Sequence, residues 1–286
     1  MNELAPPPFS IVVPTRDRND LLTQCLDRLA PHAQLLAAHE YEVIVTDDSA
    51  SEAARPLVTA SFPWAHWVAG PRRGPAANRN RGAAAAVGDV VVFIDDDCLP
   101  EPDLLQSYAE SLRDDVAVYE GRITCRAGVT SPMQTAPENL VGGALWSCNF
   151  AMRRLAFLSL GGFDDRFPLA HMEDVDLRDR ILGAGHAIQF VAGATVDHPP
   201  RRLPFGARLA RMHRAGVLYM VLHPPERGLA WFLQNTFRAR VSRIVRLPKS
   251  RDSLTALISV PLELAAIAWS WGEWTRWARS VAVTER

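Results

Sequence analysis

Val90-Val91-Val92-Phe93-Ile94-Asp95-Asp96-Asp97 is the stretch on which the fold turns. Five consecutive apolar, strand-favouring residues leave no polar face, as expected of a strand covered on both sides. Three aspartates follow without a break. Adjacent carboxylates repel one another and need a positive partner, and a hard divalent cation with oxygen ligands is the natural one. Mg²⁺ or Mn²⁺ in such a site usually shares its coordination with substrate phosphates. A solvated acidic turn or a helix N-cap is the plainer reading of an isolated carboxylate pair. The neighbouring strands count against that reading.

Upstream, Phe9 to Val13 is a short apolar run stopped by Pro14 and predicts a buried strand. A polar loop, Thr15 to Asn19, leads into a helical pattern from Asp20 toward Leu29, which Pro31 interrupts. Tyr41 to Thr46 predicts a second strand, ending in Asp47-Asp48-Ser49, and His66 to Ala69 a third. Pro75, in its favoured early position, opens an alanine-rich helix that ends near Val87-Gly88. Strands alternating with helices predict an α/β fold with a mostly parallel, Rossmann-like sheet, whose ligands collect at the carboxyl ends of the strands. Thr15-Arg16-Asp17, Asp47-Asp48 and Asp95-Asp96-Asp97 all fall at that rim.

Downstream, the pattern from Pro100 to Pro200 is mixed. Helices are expected near Asp103 to Arg113 and Glu173 to Leu182, with strands near Val116 to Ile123 and Trp146 to Met152. Beyond Pro200 the chain reads as wholly helical, with breaks near Pro224-Pro225, Pro248 and Pro261. The expected organisation is therefore an α/β domain over residues 1–200 and a helical C-terminal extension over 201–286.

Composition narrows the class. The 286 residues are 48% hydrophobic and 22% charged, ordinary for a globular protein, and the formal net charge of −1 predicts no overall pull toward nucleic acid. Cys25, Cys98, Cys125 and Cys148 are scattered and form no Cys-x-x-Cys pair, which argues against a zinc knuckle or a disulfide scaffold. Met1 to Pro8 lacks a basic stretch followed by an apolar run, so no signal peptide is expected and a cytoplasmic location is.

The blocks Phe9-Ser-Ile-Val-Val-Pro-Thr, Val45-Thr-Asp-Asp-Ser, Asn78-Arg-Asn-Arg-Gly and Val92-Phe-Ile-Asp-Asp-Asp resemble, in order, those of family 2 glycosyltransferases with the GT-A fold. Gly161-Gly-Phe-Asp-Asp-Arg-Phe, His171-Met-Glu-Asp-Val-Asp-Leu-Arg-Asp-Arg and Val196-Asp-His198 continue the likeness, which covers about residues 9 to 200. Each block alone is degenerate; seven in sequence order are specific. The resemblance implies an inverting, metal-dependent transferase that moves one sugar from a UDP-, dTDP- or GDP-linked donor to a hydroxyl acceptor. Such an acceptor could be a lipid-linked glycan, and surface glycan or polysaccharide biosynthesis the setting.

The resemblance also implies roles. Pro14, Thr15 and Arg16, with Asp47 or Asp48, would hold the base and ribose. Arg79 would support base or phosphates, with Arg73 a second candidate on the adjacent loop. Asp95 to Asp97 match the Asp-x-Asp signature, with Asp97 and Asp95 toward the metal, Asp96 toward ribose or metal, and His198 completing the metal shell. Trp146, Cys148 and Asn149 fall where relatives line the sugar or acceptor pocket. Ser49-Ala50 departs from the Gly-Ser of many relatives.

Inverting transfer needs one base to deprotonate the acceptor hydroxyl, and a single carboxylate suffices. Glu173-Asp174 match the family's Glu-Asp motif, with Asp174 the implied base and Glu173 beside it at the substrate. Without the resemblance, these acids would read as a helix start favoured by the macrodipole.

In the tail, Leu254 to Trp271 is strongly apolar but holds Pro261 and Glu263, which counts against a membrane-spanning helix. Trp269, Trp271, Trp274 and Trp277 with Arg276 and Arg279 suit peripheral contact with the inner face of a membrane. Packing on the catalytic domain or across a homodimer interface is the alternative. Processive relatives carry Gln-x-x-Arg-Trp and several membrane spans; Gln234 to Arg238 lacks that spacing, so one sugar per encounter is expected. Two other readings remain open from sequence: a sugar-1-phosphate nucleotidyltransferase, whose Gly-rich loop Pro14-Thr-Arg-Asp-Arg does not supply, and an inactive nucleotide-sugar binding protein.

Overall fold

The computed structural model describes residues 8–223, 228–246 and 252–283. The stretch before Pro8 and the prolines at 224, 225 and 248 lie outside them. The first half alternates as the apolar runs predict: β1 (Phe9–Thr15), α1 (Asn19–Leu29), β2 (Tyr41–Asp47), α2 (Ala54–Ser61), β3 (Ala65–Ala69), α3 (Pro75–Ala85) and β4 (Val90–Ile94). β5 (Leu99–Pro100), α4 (Leu104–Ser111), β6 (Val118–Thr124), β7 (Gln134–Thr135), β8 (Asn149–Arg153), α5 (Arg154–Ser159), α6 (Glu173–Gly183) and β9 (Ile188–Asp197) follow. The tail holds β10 (Arg201–Arg202), α7 (Ala207–Ala210), α8 (Arg214–Leu222), α9 (Leu229–Arg246) and α10 (Ser253–Val283).

The chain divides into two compact units. One comprises the chain up to Arg126, Pro137–Pro168 and Glu173–His198; the other comprises Ala127–Ala136, Leu169–Met172 and the chain from Pro199 on. The sequence boundary near residue 200 is thus one of several crossings between units, because two short segments before it group with the tail.

The first unit is built on an eight-stranded sheet in the order β3-β2-β1-β4-β8-β6-β9-β5. β3, β2, β1 and β4 run parallel, β8 is antiparallel to both its neighbours, and β6 and β9 are parallel again. β4 is fully buried, and its alternate side chains divide between the two faces. Val90, Val92 and Ile94 join Leu22, Leu26 and Leu29 of α1 and Tyr108 of α4. Val91 and Phe93 join Ala83 of α3, Phe157 of α5 and Leu177 of α6. That division is why a continuous apolar run was needed. Because β1 lies between β2 and β4, the connections reverse direction beside it and open a crevice at the carboxyl ends of β1 and β4.

Several expectations need correction. Trp146 precedes β8 rather than starting it. The sequence reading places no strand over Ile188–Asp197, where β9 carries few buried side chains at its start and shifts register opposite Gly121/Arg122. The tail is not wholly helical, since β10 pairs with β7 in a two-stranded ribbon. Pro261 does not end a helix: α10 runs through it for 31 residues. Proline removes one donor from an interior turn, but burial of Ala256, Ser259, Val260, Glu263 and Ile267 on one side holds the helix together.

In the second unit, α10 packs on α7, α8 and α9. Glu263 lies buried there, bonded to Arg240 Nε at 3.0 Å and His213 Nε2 at 2.8 Å.

Helix α3 lies so close to β1 that a side-chain carbon at Gly82 would overlap Val12. Gly82→Val should therefore lower stability by about 1–3 kcal/mol through overpacking, read from urea unfolding of the two proteins.

Candidate active site

The carboxyl ends of β1, β2 and β4 each deliver polar side chains to one edge. Thr15, the last residue of β1, donates its hydroxyl to Asp96 Oδ2 at 2.7 Å. Asp17 then adopts φ of 53° and donates its N–H to Ser49 Oγ. That turn brings Arg18, not Arg16, back over the aspartates. Arg18 Nε lies 3.1 Å from Asp96 and its Nη1 3.1 Å from Asp97, with Nη2 also on Asp96. Arg16, expected at the nucleotide, is 69% exposed, and Asp17 is its ion-pair partner. Pro14 is a buried strand residue paired in register with Thr46.

Asp47 and Asp48 are both buried and committed to backbone. Asp47 accepts the N–H groups of Ser49 and Ala54 at 2.9 Å and the Trp67 indole at 3.4 Å. Asp48 accepts those of Arg72 and Gly74, holding the loop that enters α3. Neither carboxylate is brought into the open as a sequence-level nucleotide contact would suggest. Arg73, on the same loop, pairs with Asp165.

Arg79 is the best-buried cation at this edge, 2% exposed. It projects from α3 and joins Asp95 through Nη2 and Glu173 Oε1 through Nη1, the latter at 3.1 Å, with Phe163 stacked 5.5 Å from the guanidinium. Burial alone would raise the Asp95 carboxyl; the adjacent Arg79 overrides it and holds Asp95 below the ordinary carboxylate value. Asp95, expected as a metal ligand, is therefore turned toward Arg79. Asp96 behaves oppositely: burial, helped by repulsion from Asp97, outweighs the pull of Arg18 and leaves its carboxyl raised to about 7.

Glu173 and Asp174 open α6. Burial pushes both carboxyls upward, with Arg79 opposing it. Backbone N–H groups of Val175 and Ser147 also face Asp174, the former at 2.9 Å from Oδ1. Asn149, expected to line a pocket, is fully buried and spent on structure. It accepts from Tyr108 and donates to the Arg122 and Ala194 carbonyls, each at 2.9 Å. Trp146 donates to the Glu138 carbonyl and packs on the sheet core.

The sequence profile of glycosyl transferase family 2 matches residues 10–167, more than half of the chain. The chain belongs to glycosyl transferase family 2. It is 36% identical over 132 residues to N-acetylglucosaminyl-diphospho-decaprenol L-rhamnosyltransferase of Mycobacterium tuberculosis, a match covering 42% of this chain and 41% of that relative. Among solved structures, S. aureus TarS 1–349 in complex with UDP-GlcNAc shares the fold at a TM-score of 0.57 and 18% identity, over 96% of this chain and 88% of that one. Mannosyltransferase PcManGT from Pyrobaculum calidifontis, in complex with GDP-Man and Mn²⁺, does so at 0.51 and 20% identity, over 99% and 81%.

In this family 2 glycosyltransferase the residues at the sheet edge fit a divalent cation. Asp97 Oδ1 is buried without a hydrogen-bond partner and lies 3.4 Å from His198 Nε2. A buried carboxylate oxygen left this way is costly, and a cation removes the cost. Cys98 Sγ belongs to the same cluster, but it donates to the Cys148 carbonyl oxygen at 3.6 Å, and sulfur is a softer ligand than Mn²⁺ or Mg²⁺ favours. Asp97 and His198 are the side chains that could hold Mn²⁺ or Mg²⁺.

Sequence reasoning missed two residues of this glycosyltransferase. Arg18 sits in a polar loop where nothing separates it from Arg16 except the turn at Asp17. Glu120, an acid in mid-strand, collects the N–H groups of Gly143, Ala144 and Leu145 and the Asn139 amide. It thereby shapes the loop before Ser147.

Arg79→Met would leave Asp95 and Glu173 buried without their cation. Stability at neutral pH should fall by about 3–5 kcal/mol. The loss should shrink on acidification, as protonation removes the stranded charges; denaturant titrations at several pH values test both parts.

Proposed function

We propose that this glycosyltransferase inverts configuration and moves one sugar from a nucleotide-sugar donor to a hydroxyl of a lipid-linked glycan, with Mn²⁺ or Mg²⁺ at Asp97 and His198. The observation that carries the reading is the orphaned Asp97 Oδ1 beside His198 Nε2. Through the aspartate run, Arg79 and Glu173, that cation position connects to Asp174. The solved structures support a nucleotide-sugar donor: their complexes hold UDP-GlcNAc in one case and GDP-Man with Mn²⁺ in the other. UDP, GDP and dTDP donors all fit this reading. The lipid-linked acceptor is supported by the diphospho-decaprenol substrate in the mycobacterial relative's name. Surface glycan or polysaccharide assembly in the cytoplasm is the corresponding setting.

In the proposed reaction Asp174 accepts the proton of the acceptor hydroxyl as its oxygen bonds to the anomeric carbon. The bond from that carbon to the diphosphate breaks on the opposite face, and the nucleoside diphosphate leaves with the electron pair. A bound divalent cation would stabilise the charge gathering on the leaving diphosphate. Arg18, half-exposed at the rim and paired with Asp96 and Asp97, would add a positive charge on the same side. Arg79 fixes Asp95 and Glu173 so that strand end and helix start keep their spacing.

Asp174→Asn should retain metal-dependent stabilisation by donor nucleotide in thermal shift and lose transfer by at least about 100-fold, the scale of a missing general base. Near-normal turnover would remove Asp174 from this role. Asp97→Asn should instead abolish the metal-dependent part of the shift. Because burial raises the Asp174 carboxyl above its ordinary 3.8, and only the ionised form accepts a proton, kcat/KM should fall on acidification with a midpoint above that value. A pH–rate profile reads it.

A further inference from the structure

Helix α10 divides its two sides sharply. The inward side buries Ala256, Ser259, Val260, Glu263 and Ile267 against the other helices of its unit. Glu263 is the single charged residue between Ser253 and Gly272, and it is turned inward onto Arg240 and His213. Outward, Leu254, Leu257, Ile258, Leu262 and Trp269 are all exposed, the last to 92%. These positions follow one another at helical spacing, so they form one uncharged stripe some four turns long. By length and composition the helix could cross a bilayer, but its inward side is occupied by a Glu-Arg-His cluster and packed helices. A helix with one side packed on protein and the other apolar and open suits an orientation in the plane of an interface.

Charge identifies what it meets. Residues 199–286 hold 15 basic and 5 acidic side chains, a formal charge of +10, whereas the whole chain carries −1. Arg276 and Arg279 are exposed on α10 beyond Trp269, and Arg238 and Arg246 are exposed on α9. A second copy would bring like charge to like charge. Nucleic acid would match the charge but offers nothing to a stripe of leucine and isoleucine. An anionic lipid surface satisfies both, with tryptophan and arginine at the headgroup level.

We propose that the outward stripe of α10, Leu254 to Trp269, docks this protein in the plane of an anionic membrane surface. The inference is independent of the transfer chemistry proposed above.

The full chain is floated with phosphatidylcholine vesicles and with vesicles containing 30% phosphatidylglycerol, at low and high salt. Binding should require the anionic lipid, weaken with salt, and drop about tenfold in Leu262→Ser/Trp269→Ala, the loss of two inserted anchors. Both substituted side chains are exposed, and an unchanged thermal midpoint shows that the variant folds. An unfolded double variant is replaced by Trp269→Ala alone, for which a weaker partition is still required. Vesicle binding equal in wild type and folded variant would overturn the proposal. So would absence of vesicle binding, whether accompanied by a dimer that the variant dissolves or by tighter binding to a nucleic-acid oligomer.

Discussion

One buried guanidinium holds the candidate site together. Arg79 is enclosed between Asp95 at the end of β4 and Glu173 at the start of α6, residues 16 and 94 positions away in sequence. The guanidinium and the Asp95 carboxylate are tolerable in a dry interior only as a pair, since each alone would meet a desolvation cost of several kcal/mol, and Glu173 adds a further hydrogen bond. The arrangement therefore fixes the distance between a strand end that carries the aspartate run and a helix start that carries Asp174. Phe163 covers the guanidinium and belongs to the same aromatic cluster as Phe93, Phe150 and Phe157. Polar geometry at the edge and apolar packing beneath it are one construction.

Division of labour among the three aspartates follows from that constraint. Asp95 is drawn to Arg79 and Asp96 to Thr15 and Arg18, which leaves Asp97 with an unmatched oxygen near His198. A run that looks uniform in sequence therefore contains one structural acid, one pinned acid and one with room for a cation. The same economy recurs at Glu120, where one buried carboxylate gathers three successive backbone N–H groups and so shapes the loop leading to Ser147. Charged hydrogen bonds of this kind order loops that no apolar contact reaches.

The tail shows a different balance. Its basic excess cancels against the acidic first half in the net charge, so the whole-chain figure concealed two oppositely charged regions. Helix α10 survives an interior proline because its buried side chains and its neighbours hold it, which local propensity could not foretell. Its single charge in the apolar section is inward, and only packing reveals that the outward side is uncharged.

By itself the sequence determined the parallel first half of the sheet, because runs such as Val90 to Ile94 and Phe9 to Val13 can be buried only between two layers. It also determined that acids gather at one rim, because they follow those runs directly, and the ordered blocks carried the family. Tertiary structure decided which of those polar groups are open and which are spent. Arg18 rather than Arg16 reaches the aspartates because Asp17 turns through positive φ; Asp47, Asp48 and Asn149 are committed to backbone or buried partners. Those outcomes depend on partners tens of residues away, such as Arg18 with Asp96 or Glu120 with Gly143. Local pattern records which side a residue faces, whereas a hydrogen bond closes only when the chain has folded.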